Sequence, residues 1–272
     1  VKIKDFKYKD KLLSEFDLIM CDPNNNSGNN TVEGVKFVFN TIKMPNSEKY
    51  NKTYVSHESP LSAIFGICKR PCDNNKNYFD QYELEDIINW LSGNDYEEFQ
   101  PCDEEFDDIV FYGSFVKIDF VRHGEHIYKL IVAFETNSSF GYGVERNINF
   151  EILSENSTYD IINDSDETGH LSPSLVEIQL KKRGDLLIKN LLNDELDLCI
   201  KNCEADEIIT FDNEHKILLS SENKHNLYDD FNYCFLKLYK TKSDFVNTLS
   251  FSLPCKVNIK YRPLRKVPIL CQ

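Results

Sequence analysis

Three groups of residues have types and spacing that bear on chemistry. His123-Gly124-Glu125-His126 sets two imidazoles around a carboxylate, a combination suited to a metal ion or to acid-base work. The flanking residues alternate apolar and polar, which puts the four on a hairpin tip, without the helical i, i+4 spacing that zinc-protease motifs use. The nine cysteines, Cys21, Cys68, Cys72, Cys102, Cys199, Cys203, Cys234, Cys255 and Cys271, are odd in number and scattered. Cys68-x3-Cys72 and Cys199-x3-Cys203 come nearest to ligand spacing, yet neither has a second pair nearby, so the cysteines read as free core thiols and not as a disulfide framework or a zinc site. The third group is Glu97 to Asp108, seven carboxylates in twelve residues. A glycosidase needs one pair of carboxylates at a set separation in space, and no pair is singled out here. The expectation is a chain with no catalytic centre, no cofactor and no metal, and with the acidic segment exposed to a solvent-filled space.

Charge limits the partners. With 31 Lys and Arg against 45 Asp and Glu, the formal net charge of −14 argues against a surface that wraps nucleic acid. A negative wall beside a DNA passage is consistent with it, because it repels the polymer's phosphates. The end of the chain departs from this balance: no acid follows Asp244, whereas Lys256, Lys260, Arg262, Arg265 and Lys266 are all positive. These five are candidate electrostatic contacts to the first domain or to an acidic neighbour. The sequence shows neither a signal peptide nor an apolar run of membrane-spanning length, and synthesis in a reducing cytoplasm is expected.

The elements that must hold these residues are mostly strands. Val116, Ile118 and Phe120 alternate with Lys117 and Asp119, Tyr128, Leu130, Val132 and Phe134 share a face, and short strands of the same period recur from Val176 to Tyr261. Two antiparallel sheets packed face to face are expected for the second half. One amphipathic helix stands out, Asp80 to Gly93, with Leu84, Ile87, Ile88 and Leu91 at i, i+3, i+4 and i+7 and an Asp80/Glu83 capping box. Its apolar face either closes its own domain or makes a contact between protomers, which makes these four residues candidate oligomer contacts. Trp90 lies on that helix, and Tyr228, Tyr233 and Tyr239 read as a core strand and its entry turn, so an aromatic platform for sugars is not evident. The polar stretch Ser154 to Pro173 suggests a junction between two β-domains, with the boundary a few residues earlier, near Asn147.

In order along the chain, the strings Phe6-Lys7-Tyr8-Lys9, Gly34-Val35-Lys36 with Phe39-Asn40-Thr41, Phe65-Gly66-Ile67-Cys68-Lys69, Trp90-Leu91, Tyr112-Gly113-Ser114-Phe115, Leu187-Ile188-Lys189-Asn190, Asp230-Phe231-Asn232-Tyr233 and Tyr261-Arg262-Pro263 resemble the distal tail proteins of long-tailed bacteriophages, in their short form without an inserted carbohydrate-binding module. The resemblance implies a mainly β chain: residues 1–147 a ring-forming β-domain with a helix near 81–92 and an extended arm, residues 148–272 a galectin-like antiparallel β-sandwich, the last strand a candidate to return to the first domain. It implies a homo-hexameric ring in the virion tail tip, made in the bacterial host cytoplasm, that joins the tail tube protein to the tail-associated hub protein and to receptor-binding proteins, with no membrane partner and no specific nucleic-acid binding. A lectin-like module that contacts the host surface is the alternative.

Overall fold

The computed structural model describes residues 5–23, 38–45, 48–56, 59–71, 76–102, 108–193, 197–213, 215–267 and 269; the Asn-rich segment 24–30 and residues 103–107 of the acidic segment lie outside them. The chain forms two compact units, Val1–Tyr142 with Lys266–Gln272, and Gly143–Arg265. A division at Asn147 would cut through a strand, since Arg146–Ile152 pairs along its whole length with Cys255–Tyr261. The polar stretch 154–173 is not a junction either. It lies inside the second unit and contributes two strands, because its turn-forming residues alternate with Tyr159, Ile161 and Leu171.

The first unit comprises β1 (Asp5–Tyr8), β2 (Lys11–Leu12), β3 (Leu18–Cys21), β4 (Val38–Lys43), β5 (Tyr50–Ser56), β6 (Ser62–Lys69), α1 (Gln81–Leu91), β7 (Glu97–Cys102), β8 (Phe111–His123), β9 (His126–Thr136) and β10 (Gly141–Tyr142), with a 3-10 turn at Leu13–Phe16. Seven of these strands form one antiparallel sheet in the order β2-β1-β7-β8-β9-β6-β3, and β4 pairs with β5 as a separate hairpin. The β8–β9 connection is the two-residue turn expected at Gly124-Glu125, where Gly124 takes φ +62°, a left-handed conformation that glycine adopts without strain. A bulge between Phe115 and Lys117 shifts the phase of β8, so Val116 is turned outward while Phe115 packs on the core.

The core of this unit is aromatic. Phe6, Tyr8, Phe65, Phe99 and Phe134 are buried, with Phe115 against them, at ring-centroid separations such as 5.0 Å for Phe6–Phe99 and 4.6 Å for Phe99–Phe134. Trp90 of α1 closes it: the indole stacks on Phe6 and on Phe16, and its Nε1–H donates to the Tyr8 carbonyl at 2.9 Å. The capping box forms as expected, with Glu83 N–H donating to Asp80 and Asp80 N–H donating to Glu83, both at 2.9 Å. The Tyr8 hydroxyl has no partner among the described residues, and burial, with a smaller push from Glu97, drives its pKa up to about 12.

Two expectations about this unit are corrected. The acidic segment is not exposed throughout: Glu97–Cys102 is an interior strand of the sheet with Phe99 and Pro101 buried, because Phe99, Pro101 and their neighbours supply the period of two that the carboxylate count masks. The cysteines are not all free thiols. Cys21 and Cys68, 47 residues apart, are joined as a disulfide across adjacent strands β3 and β6, with Cα atoms 6.2 Å apart. Spacing in sequence gives no sign of a pair that only strand register brings together.

The second unit comprises β11 (Arg146–Ile152), β12 (Ser157–Ile162), β13 (Gly169–Leu171), β14 (Leu175–Leu180), β15 (Gly184–Asn190), β16 (Leu198–Cys203), β17 (Ile208–Asp212), β18 (Ile217–Ser220), a one-turn helix α2 (Leu227–Asp230), β19 (Leu238–Lys240), β20 (Val246–Phe251), β21 (Cys255–Tyr261) and β22 (Leu264–Arg265). A five-stranded sheet, β11-β21-β14-β17-β18, and a four-stranded sheet, β12-β20-β15-β16, share one core. The first contributes Val176, Ile178, Ile209, Phe211, Val257 and Ile259 and the second Ile161, Leu186, Ile188, Ile200, Leu249 and Phe251, all buried on the alternate positions of their strands.

The C-terminal residues 266–272 belong to the first unit, where Ile269 is 2% exposed in the aromatic core and Val267 packs beside it. Replacing Ile269 with Ala should therefore destabilise the first unit by about 2–5 kcal/mol. Chemical denaturation of the variant, followed through the single tryptophan of that core, would measure it; an unchanged midpoint would mean that the segment does not seat there.

Candidate functional site

The helix, the first candidate contact surface, is largely spent. Ile87 and Leu91 are 2% and 0% exposed, Leu84 packs on the core and Ile88 is half-buried, so none of the four forms an open apolar stripe. The reason is the aromatic sheet face, which needs a cover, and α1 with Trp90 supplies it. As candidate oligomer contacts these four residues are replaced by the hairpin of β4 and β5. There Ile42 is 59%, Met44 57% and Tyr50 66% exposed, and among the described residues the hairpin's strands pair only with each other. Singly exposed apolar residues are ordinary, but several on one two-stranded ribbon make it the candidate contact surface of this unit.

The basic end resolves into separate roles. Arg265 donates to the carboxylates of Asp164 at 2.9 Å and Asp166 at 3.4 Å, and Arg146 adds a second contact to Asp164 at 3.1 Å. Burial alone would raise the Asp164 pKa, but the hydrogen bonds from Arg265 and Arg146 outweigh it and hold the carboxyl below its usual range. Arg262 donates to the Gly143 carbonyl at 3.5 Å. Lys256 and Lys260 lie on the outer face of β21, Lys256 opposite Glu151. Arg265 is thus engaged inside the second unit, and removing residues 262–272 would strip contacts from both units and not merely a tail.

Sequence reasoning missed a buried polar cluster at one end of the sandwich. Cys203 ends β16, Glu207 precedes β17 across the turn that leads from one sheet to the other, Ser220 ends β18, and His225 lies in the loop before α2. The Glu207 side chain is fully buried and that of His225 is 3% exposed. One Glu207 oxygen accepts from His225 Nδ1 at 2.5 Å and from the Ser220 hydroxyl at 2.6 Å; the other accepts from the Glu204 N–H at 2.7 Å. His225 Nε2 faces the Lys201 carbonyl at 2.9 Å, and a carbonyl only accepts, so this nitrogen carries a hydrogen. Burial would raise the Glu207 pKa, yet its hydrogen bonds from Ser220, His225 and Glu204 prevail and hold it below the ordinary range. Burial pushes the Cys203 thiol up to about 12. No spacing in sequence links position 225 to 203 and 207, so the signal was absent.

The outer face of the five-stranded sheet carries a groove of about 460 Å³ lined by both polar and apolar residues, among them Asn149, Glu177, Gln179, Ile208, Lys256 and Asn258. Asn258 donates to Glu177 at 2.9 Å, and its own carbonyl oxygen has no partner among the described residues. Tyr228 and Tyr233, expected in a core strand and its entry turn, are instead 79% and 58% exposed, ring centroids 6.3 Å apart, because the segment folds as the short helix α2 and a turn with Tyr233 at φ +59°. His123 and His126 flank the hairpin turn as expected, and His126 stacks on Tyr78 at 4.0 Å, an aromatic contact that suits surface packing.

A family model described as a phage tail protein N-terminal domain matches residues 1–138, and a second, a phage tail C-terminal domain, matches residues 140–261. The chain belongs to this phage tail protein family. The junction of the two family domains falls within a few residues of the division between the two compact units. Among solved structures, the Dit protein of phage SPP1, described as a paradigm of hub adsorption apparatus in phages that infect Gram-positive bacteria, aligns with TM-score 0.66 at 9% identity, covering 96% of this chain and 99% of that one. A chain of the phage P2 baseplate in its activated conformation with Ca aligns with TM-score 0.52 at 12% identity, covering 98% and 99%. No curated protein sequence matches the chain. At these identities the likeness is one of fold: a β-rich, Dit-like architecture that runs the length of the tail protein.

The Asp164 network makes a checkable statement about this tail protein. Its depressed pKa means stability that is present above the unfolded-state value and is lost as pH falls through the folded value. In Asp164→Asn the second unit should lose less than about 1 kcal/mol near neutral pH, solvent screening limiting the effect, and its acid-side decline should be shallower than that of the parent chain. Thermal melts between pH 2 and pH 7 would measure both, and identical acid limbs would remove the network from the account of stability.

Proposed function

We propose that this phage tail protein is a subunit of a tail-tip ring: six copies close head to tail through the first unit, the ring joins the tail tube to the baseplate hub, and the second unit, a galectin-like sandwich, faces outward as a platform for receptor-binding proteins. The observation that carries the reading is co-extension. The chain matches SPP1 Dit over 96% of its own length and 99% of that chain, so the likeness spans both units. The exposed hairpin β4–β5 supports it, because a ring closed by rotation needs a heterologous contact and a projecting ribbon provides one side of such a contact. With α1 spent on the core, the hairpin is the arm of this reading. The role is structural and not catalytic, as befits a tail protein family.

Ile42→Asp combined with Met44→Asp tests the arm. Both side chains are more than half exposed, so the monomer should melt as before while sixfold particles, counted by native mass spectrometry and by image averages of tail tips, disappear. Persistence of the ring in the double variant would exclude the hairpin as its contact, and tail-tip averages without sixfold density for this chain would end the ring reading.

A carbohydrate-binding role for the second unit is the second reading, favoured by the exposed Tyr228/Tyr233 pair, since aromatic rings stack on the apolar faces of pyranoses. A glycan array probed with the full chain should then give signals that fall at least tenfold in Tyr228→Ala with Tyr233→Ala; an array without signal would leave the structural role alone.

A further inference from the structure

The cluster at the end of the sandwich contains the donor set of a metal site. Cys203 Sγ, a carboxylate oxygen of Glu207 and a ring nitrogen of His225 all lie within 4.8 Å of one another. Zinc bonds of about 2.0 Å to nitrogen and oxygen and 2.3 Å to sulfur give tetrahedral edges of about 3.3–3.7 Å, so three such atoms converge on one ion after small rotations. The mixture of thiol, imidazole and carboxylate favours zinc over magnesium or calcium, which take oxygen ligands.

A second, independent observation is that the outer contacts of a zinc site are already in place. Metal-bound histidines ordinarily give their other N–H to a carbonyl or carboxylate, which fixes the ring. His225 does so: Nε2–H donates to the Lys201 carbonyl at 2.9 Å with Asp230 a further neighbour at 3.5 Å, which leaves Nδ1 turned toward Glu207. Glu207 is held in the same way, one oxygen fixed by the Glu204 N–H at 2.7 Å and the other directed at His225. The Cys203 thiol donates to the Ile200 carbonyl at 3.5 Å, and the Leu186 backbone N–H is a further partner of its sulfur. An ion replaces two hydrogen bonds, that of the thiol to the Ile200 carbonyl and the 2.5 Å contact of Nδ1 with Glu207, which must open by about 1 Å to become a tetrahedral edge.

We propose that Cys203, Glu207 and His225 bind a zinc ion through Sγ, a carboxylate oxygen and Nδ1, with water in the fourth position, and that the ion fastens the loop before α2 to the turn that links the two sheets. Binding forms three metal–ligand bonds, displaces all but one of the waters from the ion, and releases two protons to solvent, one from the Cys203 thiol and one from His225 Nδ1. The consequence is mechanical. The fastened loop leads directly into the segment that carries Tyr228 and Tyr233, so the ion would set the position of the most exposed aromatic pair of the second unit. The site stands apart from ring formation, which rests on the first unit.

The test uses the full chain, stripped with chelator and carried in a Cys102→Ser, Cys199→Ser, Cys234→Ser background to remove other accessible described thiols. Zinc added and then dialysed should remain at one ion per chain, raise the melting temperature of the second unit, and be replaceable by cobalt with a thiolate-to-cobalt charge-transfer band. Cys203→Ser should lose the band and at least nine-tenths of the bound metal, whereas Ser220→Ala, which removes a hydrogen bond to Glu207 but no donor, should keep both. Metal absent from the parent chain, a cobalt spectrum without the thiolate band, or binding that survives Cys203→Ser would each overturn the proposal and leave the cluster a hydrogen-bonded ion pair. Because the cobalt spectrum of the parent chain is itself decisive, a Cys203→Ser chain that fails to fold does not protect the idea.

Discussion

Every large sheet in this chain has one face that must be kept from water, and the way each face is covered decides which residues are left for partners. In the second unit the two sheets cover each other: inward positions of both interdigitate in one core, and outward positions carry charged and amide side chains together with exposed apolar ones such as Ile208 and Leu219. In the first unit there is one large sheet, its inner face is unusually aromatic, and the described structure has a single long helix to lay against it. Trp90 is the centre of that cover, stacked on Phe6 and Phe16 and anchored by its N–H to the Tyr8 carbonyl. Burying a large ring whose one polar atom is satisfied combines apolar area with a directional bond, which seats the helix in one register.

From this constraint follows the assignment of surfaces. A helix that closes its own sheet has no apolar face to offer a neighbour, and the exposed apolar side chains of the first unit fall in part on the β4–β5 ribbon instead. A two-stranded ribbon is marginal by itself in water, and in the proposed ring its apolar residues are the ones a neighbouring subunit would cover. The chain end is drawn in for a similar reason. Ile269 fills space in the aromatic core, and Arg265, four residues before it, is engaged by Asp164 and Asp166.

Buried polarity in the second unit follows a different logic. Asn190 and Asn247 are hydrogen-bonded to each other at 2.8 Å and to main-chain groups, and Glu207 receives three hydrogen bonds. Such groups cost stability unless every partner is present, so they fix the loops that supply the partners. The Glu207 cluster does this where the chain passes between sheets and where the loop before α2 begins, the end of the unit at which the exposed tyrosines stand.

Sequence alone determined those features that depend on neighbours close in the chain. The period of two in the strands, the i, i+3, i+4 pattern and capping box of the helix and the glycine turn at 124 are local, since each is set by backbone geometry over a few residues, and each appears in the structure. The ordered strings that resemble distal tail proteins likewise led to the right family. Tertiary structure decided the rest. Whether Leu84, Ile87, Ile88 and Leu91 faced a partner or the chain's own core depended on how many sheet faces lacked a cover, a count that no local pattern contains. The Cys21–Cys68 bond and the return of Ile269 join residues separated by long stretches of sequence, and His225 reaches Cys203 and Glu207 across an intervening pair of strands. Strand register and the order of strands in a sheet bring such residues together, and both are settled by the packing of the whole unit, not by the residues that meet.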